Sequence, residues 1–257
     1  RKINHLGEKP MSNFQLSLRT RVQPFKGSDE WHPVQLERSV PVDTTAFLLC
    51  DIWDVHWCKS ATRRCGEIAK QTNQVVSFAR RNDIQIIHAP SDTMDFYQDF
   101  EQRKMMQNLE PIEMPASQDL LDPPQPIDAS DGGCDDEPQC ESHGPWTRQD
   151  PAIEIGDADG ISDNGQEVYN LLQAKGINTL LIMGVHTNMC VLGRSFAIKA
   201  MTRIGIDCVL VRDLTDAMYN PRKAPFVNHQ AGTELVIEYI EKHWCPTVLS
   251  QDLMQIS

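Results

Sequence analysis

The sequence predicts an α/β protein of three layers, in which a doubly wound, mostly parallel sheet carries helices on both faces. Segments with strand and helix patterns alternate along the chain, which is typical of parallel βαβ units. The predicted strands, such as TTAFLLC and INTLLIMGV, are continuously apolar, as expected of strands buried on both faces. Ligands bind beyond the carboxyl ends of the strands in such sheets, so the residues after these apolar runs are the first candidates for a site.

The predicted elements follow one another regularly on either side of a long interruption. The strand TTAFLLC precedes a helix with apolar residues at helical spacing over residues 60–83, and the strand IQIIHA comes next. After residue 150 the pattern resumes with the helix NGQEVYNLLQAKG and the strand INTLLIMGV. A helix from TNMC to Gly205, the strand IDCVLVRDLTDAM and the helix GTELVIEYIEKHW complete the order.

Two regions depart from this alternation. Residues 1–40 are polar and irregular, and we interpret them as an N-terminal arm whose stretch FQLSLRTRVQPF has the alternation of an exposed edge strand. Residues 92–150 are rich in proline and acids and have no sustained periodicity. Because long loops in compact domains are usually functional, we predict one domain over residues 41–257 with an ordered insertion or lid at 92–150.

Composition excludes several classes of protein. The net charge of −12 over 257 residues disfavours nucleic acid as a partner, and no apolar run is long enough to span a membrane. Because the chain begins at Arg1, we expect a soluble protein that is either cytoplasmic or exported after removal of an N-terminal segment. The loop DGGCDDEPQC allows either a local disulfide between Cys134 and Cys140 or two free thiols.

One cysteine has a position that favours chemistry. The segment LLIMGVHTNMCV places Cys190 in the first turn of a helix that follows a buried strand. Unpaired N–H groups and the helix dipole favour a thiolate at such a position, and a thiolate is the nucleophilic form of cysteine. A buried structural cysteine is the alternative interpretation.

The order of strand, G-V-x-T-x-x-C-V and helix resembles the nucleophile motif of the isochorismatase-like cysteine hydrolases, which include nicotinamidases and N-carbamoylsarcosine amidohydrolases. The resemblance covers residues 44–97 and 148–216. It implies that Cys190 forms a thioester and that Asp51, at the end of the first core strand, is its general base. It also implies an oxyanion hole of backbone N–H groups beside a cis peptide at Val185–His186.

The third member of the family's triad is a lysine, and this chain departs from that pattern. The sequence has no lysine between Lys104 and Lys175, and an ungapped alignment from DNGQEV places Arg148 at the expected position. Arginine keeps a positive charge beside the other two groups but cannot donate its proton at neutral pH. Arg148 is therefore either an electrostatic substitute or an ordinary exposed arginine.

The sequence also offers candidate residues for a substrate pocket and for a metal site. Aromatic residues near the strand ends or on the insertion suit a pocket for a small planar amide, with His186 as a polar substrate contact. The predicted pocket residues are Trp53, Trp57, Tyr97, Trp146 and His186. No cofactor is required for the implied chemistry. The family's Asp/His metal site is not reproduced, although Asp54, His56 and His88 offer a D-x-H pattern with a third ligand for Zn²⁺, or else bond loop and core groups.

Three hypotheses about function follow. The first is a cysteine hydrolase that cleaves an amide or carbamoyl C–N bond of a small molecule through Cys190. The second is a binding or structural protein on the same fold, in which the missing lysine reflects lost catalysis. The third is a metal-dependent hydrolase that uses Asp54, His56 and His88. The resemblance implies a homo-oligomer that binds a small amide-like substrate. Charge and hydropathy predict neither a nucleic acid nor a membrane as a partner.

Overall fold

The computed structural model describes residues 12–257, and the described chain forms one sheet of eight strands with helices around it. Residues 1–11, the start of the predicted arm, lie outside the described residues. The elements in chain order are β1 (Asn13–Val22), β2 (His32–Pro41), β3 (Thr45–Cys50), α1 (Lys59–Arg81), β4 (Gln85–Ala89), α2 (Met94–Tyr97), α3 (Glu101–Gln107), β5 (Gly160–Ile161), α4 (Gly165–Ala174), β6 (Thr179–Val185), α5 (Cys190–Gly193), α6 (Ile198–Arg203), β7 (Asp207–Asp216), α7 (His229–His243) and β8 (Thr247–Val248).

The strands lie in the order β2-β1-β8-β7-β6-β3-β4-β5. All neighbours from β8 to β5 run parallel, while β1 pairs antiparallel with both β2 and β8. Residues 13–41, interpreted from the sequence as part of an arm, therefore form two strands of the sheet. Their pairing has a simple cause, because β1 buries its alternating apolar side chains Phe14, Leu16 and Leu18.

The central strands are buried on both faces, which explains their continuous apolar sequence. In β3, Leu48 packs in the apolar cluster that contains residues of α4 and α7, and the adjacent Leu49 packs in the cluster that contains residues of α1. Successive side chains of a strand point to opposite faces, so each face of β3 needs a helical cover. This arrangement is the predicted three-layer α/β/α architecture.

The chain reverses its direction of sheet growth between β3 and β6. From β3 it continues outward to β4 and β5, and then returns to place β6 on the other side of β3. The carboxyl ends of two such strands open a crevice at a topological switch point, where open α/β sheets bind ligands. Asp51 follows β3 and His186 follows β6, so both lie at this crevice.

Two predicted stretches have a different local structure. The helix expected from TNMC to Gly205 is interrupted, because Arg194 is extended (φ −64°, ψ 152°) between α5 and α6. The insertion at 92–150 contains α2 and α3 and is otherwise irregular, but contacts with the domain order it: the N–H of Gln118 donates to the Arg203 carbonyl at 2.9 Å. Among residues 12–257, no helix has the length and apolar character that a bilayer crossing requires.

Gly184 allows β6 to approach β3 directly beside the crevice, and its replacement is expected to destabilise the fold. Its φ is +128°, and a Cβ there would lie 1.9 Å from the Cys50 carbonyl oxygen. We expect Gly184→Ala to lower the free energy of unfolding by about 3–5 kcal/mol, from backbone strain plus the displaced strand. Urea unfolding followed by circular dichroism measures this change.

Gly205→Ala is the matched control for that prediction. Gly205 also has a positive φ, +87°, but a Cβ there would meet nothing within 4 Å. It should cost only the backbone strain of about 1–2 kcal/mol. Equal losses in the two variants would show that the close contact between β3 and β6 does not require glycine.

Candidate active site

Asp51 is the most deeply buried charged group at the crevice. It directly follows β3, has a left-handed φ of +50°, and its side chain is fully buried. The N–H of Ser91 donates to Oδ1 at 2.7 Å, and Nε of Arg194 donates to Oδ2 at 2.9 Å. A non-glycine residue with positive φ persists only where its surroundings fix it, and here those two bonds hold the carboxylate at the strand end.

The thiol of Cys190 lies beside this carboxylate. Cys190 is the first residue of α5, it is half-buried, and its side chain is hydrogen-bonded to Asp51. The N–H of His186 points to the same sulfur, and the Val185–His186 peptide is cis, at the position that the resemblance implied. Nucleophile, carboxylate and backbone N–H therefore meet at one point.

The proton of this pair lies on sulfur at neutral pH. Burial and the neighbouring Asp51 charge raise the pKa of the Cys190 thiol to about 12, against a smaller opposing effect of Arg194. Burial also raises the pKa of Asp51, while Arg194 and the hydrogen bonds from Cys190 and Ser91 lower it. The sequence-based expectation of a thiolate favoured by the helix dipole is wrong, because α5 is a single turn and burial outweighs its dipole.

The pH dependence of alkylation tests this protonation state. With a raised thiol pKa, the thiolate fraction of Cys190 should increase about tenfold per pH unit until the pH approaches the pKa. We therefore expect iodoacetamide to modify Cys190 slowly at pH 7 and progressively faster up to pH 10, as measured by peptide mass spectrometry. A rate that levels off below pH 8 would contradict the raised pKa.

The cation at the site is Arg194, which the sequence analysis did not identify. Its Nε contacts Asp51, and its Nη2 donates to Asp92 Oδ2 at 3.1 Å. Burial alone would lower the pKa of Arg194, but the charges of Asp51 and Cys190 raise it further above its ordinary value, so the guanidinium stays charged. Arg194 follows Cys190 by only four residues, but it lies just beyond the end of α5 in an extended conformation.

Arg148, which the ungapped alignment placed at the triad, has other contacts. Its guanidinium lies over the Phe96 ring, with Cζ 4.8 Å from the ring centre, and its Nε donates to the Gln149 carbonyl. Its own carbonyl accepts the N–H of Asp54. The guanidinium that contacts Asp51 belongs to Arg194, which corrects the expected position of the cation.

Four of the predicted pocket residues form an aromatic wall with His56. The rings of Trp53 and Trp146 stack with centres 4.2 Å apart, and His56 lies against Trp146 at 5.8 Å. His56 also contacts Trp57 at 5.3 Å and the ring of His186 at 4.8 Å. The wall therefore connects the start of α1, the insertion and the residue after β6.

Tyr97 lies apart from this wall. Its ring packs in a T-shaped contact on Phe96 and on Phe100, and its hydroxyl accepts the N–H of Gln149 at 2.8 Å. The side chain is buried, and its hydroxyl supports the segment that pairs with Trp53 through the Trp53–Gln149 bridge. Tyr97 thus acts on the wall through the backbone of Gln149.

Both histidines of the wall are neutral. Burial, followed by the nearby Arg64 charge, lowers the pKa of His56 to about 4. Burial and His56 lower the pKa of His186 to about 3. Within the described residues, His186 Nε2 is a buried polar atom without a hydrogen-bond partner. A buried polar atom of this kind is suited to bond a ligand.

The three residues considered as a metal site have separate roles. Asp54 accepts the N–H and hydroxyl of Thr147, and Nδ1 of His56 accepts the N–H of Cys58. Both ring nitrogens of buried His88 are bonded, at 2.9 Å, one to Gln149 Oε1 and the other to Asp159 Oδ2. Their bonds lead to different partners, and within the described residues Asp54, His56 and His88 are not a group whose ligand atoms lie close enough to hold a metal ion, so the structure does not support the zinc site that the sequence allowed.

The acidic end of β7 holds an ion-pair cluster beside the crevice. Asp216 accepts from Arg64 Nε at 2.8 Å and bonds His229 Nε2 at 2.8 Å, while Arg64 also pairs with Asp135 of the insertion. Asp213 instead accepts the N–H and hydroxyl of Ser250. Asp216 therefore connects β7 with α1 and α7, and Arg64 extends the cluster to the insertion.

Comparisons with known proteins concern the domain and the fold. Residues 146–235, which include Cys190 and Arg194, match the family model of the isochorismatase domain. No curated protein sequence matches the chain. The fold is similar to that of a cysteine hydrolase from Pseudomonas syringae pv. phaseolicola 1448A, with a TM-score of 0.51, 13% identity, and 82% of this chain and 91% of that chain covered.

Two further structures have lower scores. An isochorismatase from Pseudomonas putida KT2440 has a TM-score of 0.49 at 13% identity, with 82% of this chain and 90% of that chain covered. An isochorismatase family protein from Desulfovibrio vulgaris subsp. vulgaris str. Hildenborough has 0.48 at 16% identity, with 82% and 96% covered. Residues 146–235 are thus similar to the isochorismatase domain, and the chain shares the fold of the first structure.

Proposed function

We propose that this protein is a cysteine hydrolase that cleaves an amide or carbamoyl C–N bond of a small molecule through a thioester on Cys190. One observation carries the proposal: the buried carboxylate of Asp51 bonds the Cys190 thiol and, through Oδ2, the Arg194 guanidinium. A base in contact with a nucleophile and oriented by a third group is the arrangement that activates a weak nucleophile.

Acylation would begin with transfer of the Cys190 proton to Asp51 as the sulfur attacks the substrate carbonyl carbon. The negative charge that develops on the carbonyl oxygen would be stabilised by backbone N–H groups, among them that of His186, which already points to the sulfur. The C–N bond then breaks, and protonated Asp51 returns the proton to the leaving nitrogen. The products of this half are a thioester and a free amine or ammonia.

Deacylation would use the same carboxylate a second time. Asp51 accepts a proton from a water molecule while the oxygen of that water attacks the thioester carbon. The C–S bond then breaks, and Asp51 passes the proton to the departing Cys190 sulfur. Arg194 keeps its proton throughout, because an arginine cannot release it at neutral pH. Its contribution is to keep Asp51 anionic while that carboxylate is buried.

The wall beside the nucleophile suits a planar group. Stacked Trp53 and Trp146 with His56 offer flat apolar faces, and neutral His186 can donate or accept one hydrogen bond. These surfaces fit a small aromatic or ureido compound better than a charged chain. The binding-protein alternative depended on the missing lysine, and Arg194 supplies a cation at Asp51 in its place.

An amide panel with two readouts tests the proposal. Purified protein is incubated with small primary amides and N-carbamoyl compounds, and ammonia release is measured together with intact mass after acid quench. We expect turnover of at least one compound and an acyl adduct on Cys190, both absent in Cys190→Ala. Release of ammonia that persists in Cys190→Ala would contradict the proposed nucleophile.

A further inference from the structure

Three cysteines and one aspartate meet at the amino end of α1, outside the catalytic pair. The Asp136 Oδ2 atom lies 3.3 Å from the sulfur of Cys58, 3.6 Å from that of Cys134 and 3.4 Å from that of Cys140. Ligand atoms of Cys58, Cys134 and Asp136 all lie within 4.8 Å of one another, and within residues 12–257 they are the one such group able to hold a metal ion. The eight cysteines are free thiols.

The number of donors around one oxygen argues against three neutral thiols as the final state. Besides the three sulfurs, the N–H of Ser60 donates to the same Oδ2 at 2.9 Å. A carboxylate oxygen offers about two lone-pair sites, so it cannot accept from all four donors. Replacing the thiol protons by one cation removes this conflict, because sulfur and oxygen then become ligands of a common ion.

The first turn of α1 is arranged to receive anionic sulfur. The Lys59 N–H points to the sulfur of Cys140, the Ser60 N–H to Asp136, and the Ala61 N–H to the sulfur of Cys58. Three successive N–H groups without partners inside the helix favour negative charge at a helix start. They would offset part of the excess charge that three thiolates and a carboxylate bring to a divalent ion.

We propose that Cys58, Cys134 and Asp136 bind a structural Zn²⁺, and that the sulfur of Cys140, which lies outside this close group but 3.4 Å from Asp136 Oδ2, moves in as the fourth ligand. In a tetrahedral site with Zn–S near 2.3 Å and Zn–O near 2.0 Å, each sulfur should lie about 3.5 Å from the carboxylate oxygen. The three S···O distances of 3.3, 3.4 and 3.6 Å agree with that value. Soft thiolate ligands with one oxygen favour zinc over magnesium or calcium.

The proposed metal site is accessible from the surface, and a bound ion would affect the neighbouring aromatic wall. Asp136 and Cys140 line a surface cavity of about 470 Å³, through which the ion can arrive. The ion would join the start of α1 to the loop that contains Cys134 and Cys140. Trp57, a neighbour of Cys58, packs against this cluster, so the metal would fix one side of the aromatic wall.

Metal content and cobalt spectroscopy test the proposal without any measurement of activity. The full chain is produced with added zinc under reducing conditions, and zinc per chain is measured by mass spectrometry. We expect one zinc per chain in the wild type and in Cys208→Ala, a control that removes a buried thiol of β7. Cys134→Ser and Asp136→Asn should lose most of it.

A second measurement keeps the proposal testable if a variant fails to fold. Wild-type protein reconstituted with Co²⁺ should show an intense thiolate-to-cobalt charge-transfer band and the visible bands of tetrahedral cobalt. Wild type without stoichiometric zinc and without these bands would overturn the proposal. A disulfide among Cys58, Cys134 and Cys140 in protein kept reduced, seen as the loss of two hydrogens in intact mass, would also overturn it.

Discussion

Asp51→Asn should reduce amide hydrolysis by about a thousandfold and at the same time make Cys190 more reactive toward iodoacetamide. Hydrolysis falls because the amide cannot take the proton of the thiol or deliver it to the leaving nitrogen. Alkylation accelerates because the Asp51 charge is one of the causes that raise the pKa of the Cys190 thiol, and Arg194 remains to lower it. Loss of one neighbouring charge should raise the thiolate fraction at pH 8 by about tenfold.

Faster alkylation confined to Cys190, together with retained cooperative unfolding, separates chemistry from structure. A variant that had only lost its fold would expose all its thiols and show no cooperative thermal unfolding. Asp54→Asn is the matched control, because Asp54 lies three residues away and bonds Thr147. It should leave both rates within about threefold of wild type, since its bonds hold a loop. Unchanged hydrolysis in D51N would exclude Asp51 as the base.

The contact between Asp51 and Cys190 could be predicted from sequence because both residues lie beyond the carboxyl ends of strongly apolar strands. The run TAFLLC defines β3 and places Asp51 at its carboxyl end, and TLLIMGV defines β6, after which GVHTNMC leads to Cys190. Parallel strands bring such ends to one edge of the sheet. The distance between the two residues along the chain therefore did not matter.

The cation could not be predicted in the same way, because its position depends on an interruption of a helix. The spacing of apolar residues in TNMCVLGRSFAIKAM favours one continuous helix that would contain both Cys190 and Arg194. The structure instead ends α5 at Gly193 and extends the backbone at Arg194, which turns the guanidinium to Asp51. The resemblance implied a cation upstream of Cys190, but the residue at that position, Arg148, lies over Phe96.

The thiol cluster was missed for a different reason. Cys134 and Cys140 lie in one loop, whose sequence allowed either a local disulfide or two free thiols. No local pattern connects this loop with Cys58, since the insertion folds back onto α1 through ion pairs such as Arg64–Asp135 and through hydrogen bonds such as Ser60–Asp136. Contacts between segments so far apart in sequence depend on packing that a single sequence does not display.

Arg194→Gln should lower kcat by about a hundredfold and slow the alkylation of Cys190, the reverse of the effect of D51N. The guanidinium lowers the pKa of both the Cys190 thiol and the Asp51 carboxylate, so both pKa values rise when its charge is removed. Asp51 accepts a proton only when ionised. Its higher pKa should therefore move the acidic limb of the kcat/KM profile to higher pH, as measured between pH 4 and 9.

Arg194→Lys and Arg148→Gln complete this test. Lysine keeps the charge but loses the planar guanidinium, so Arg194→Lys should recover part of kcat and restore the acidic limb toward that of wild type. Arg148→Gln removes an equal charge that lies over Phe96, and it should leave the pH profile unchanged. If Arg148→Gln moved the acidic limb and Arg194→Gln did not, the cation of the site would be Arg148. A shift of the acidic limb in R194Q alone would show that Arg194, four residues after Cys190, is the cation that acts on Asp51.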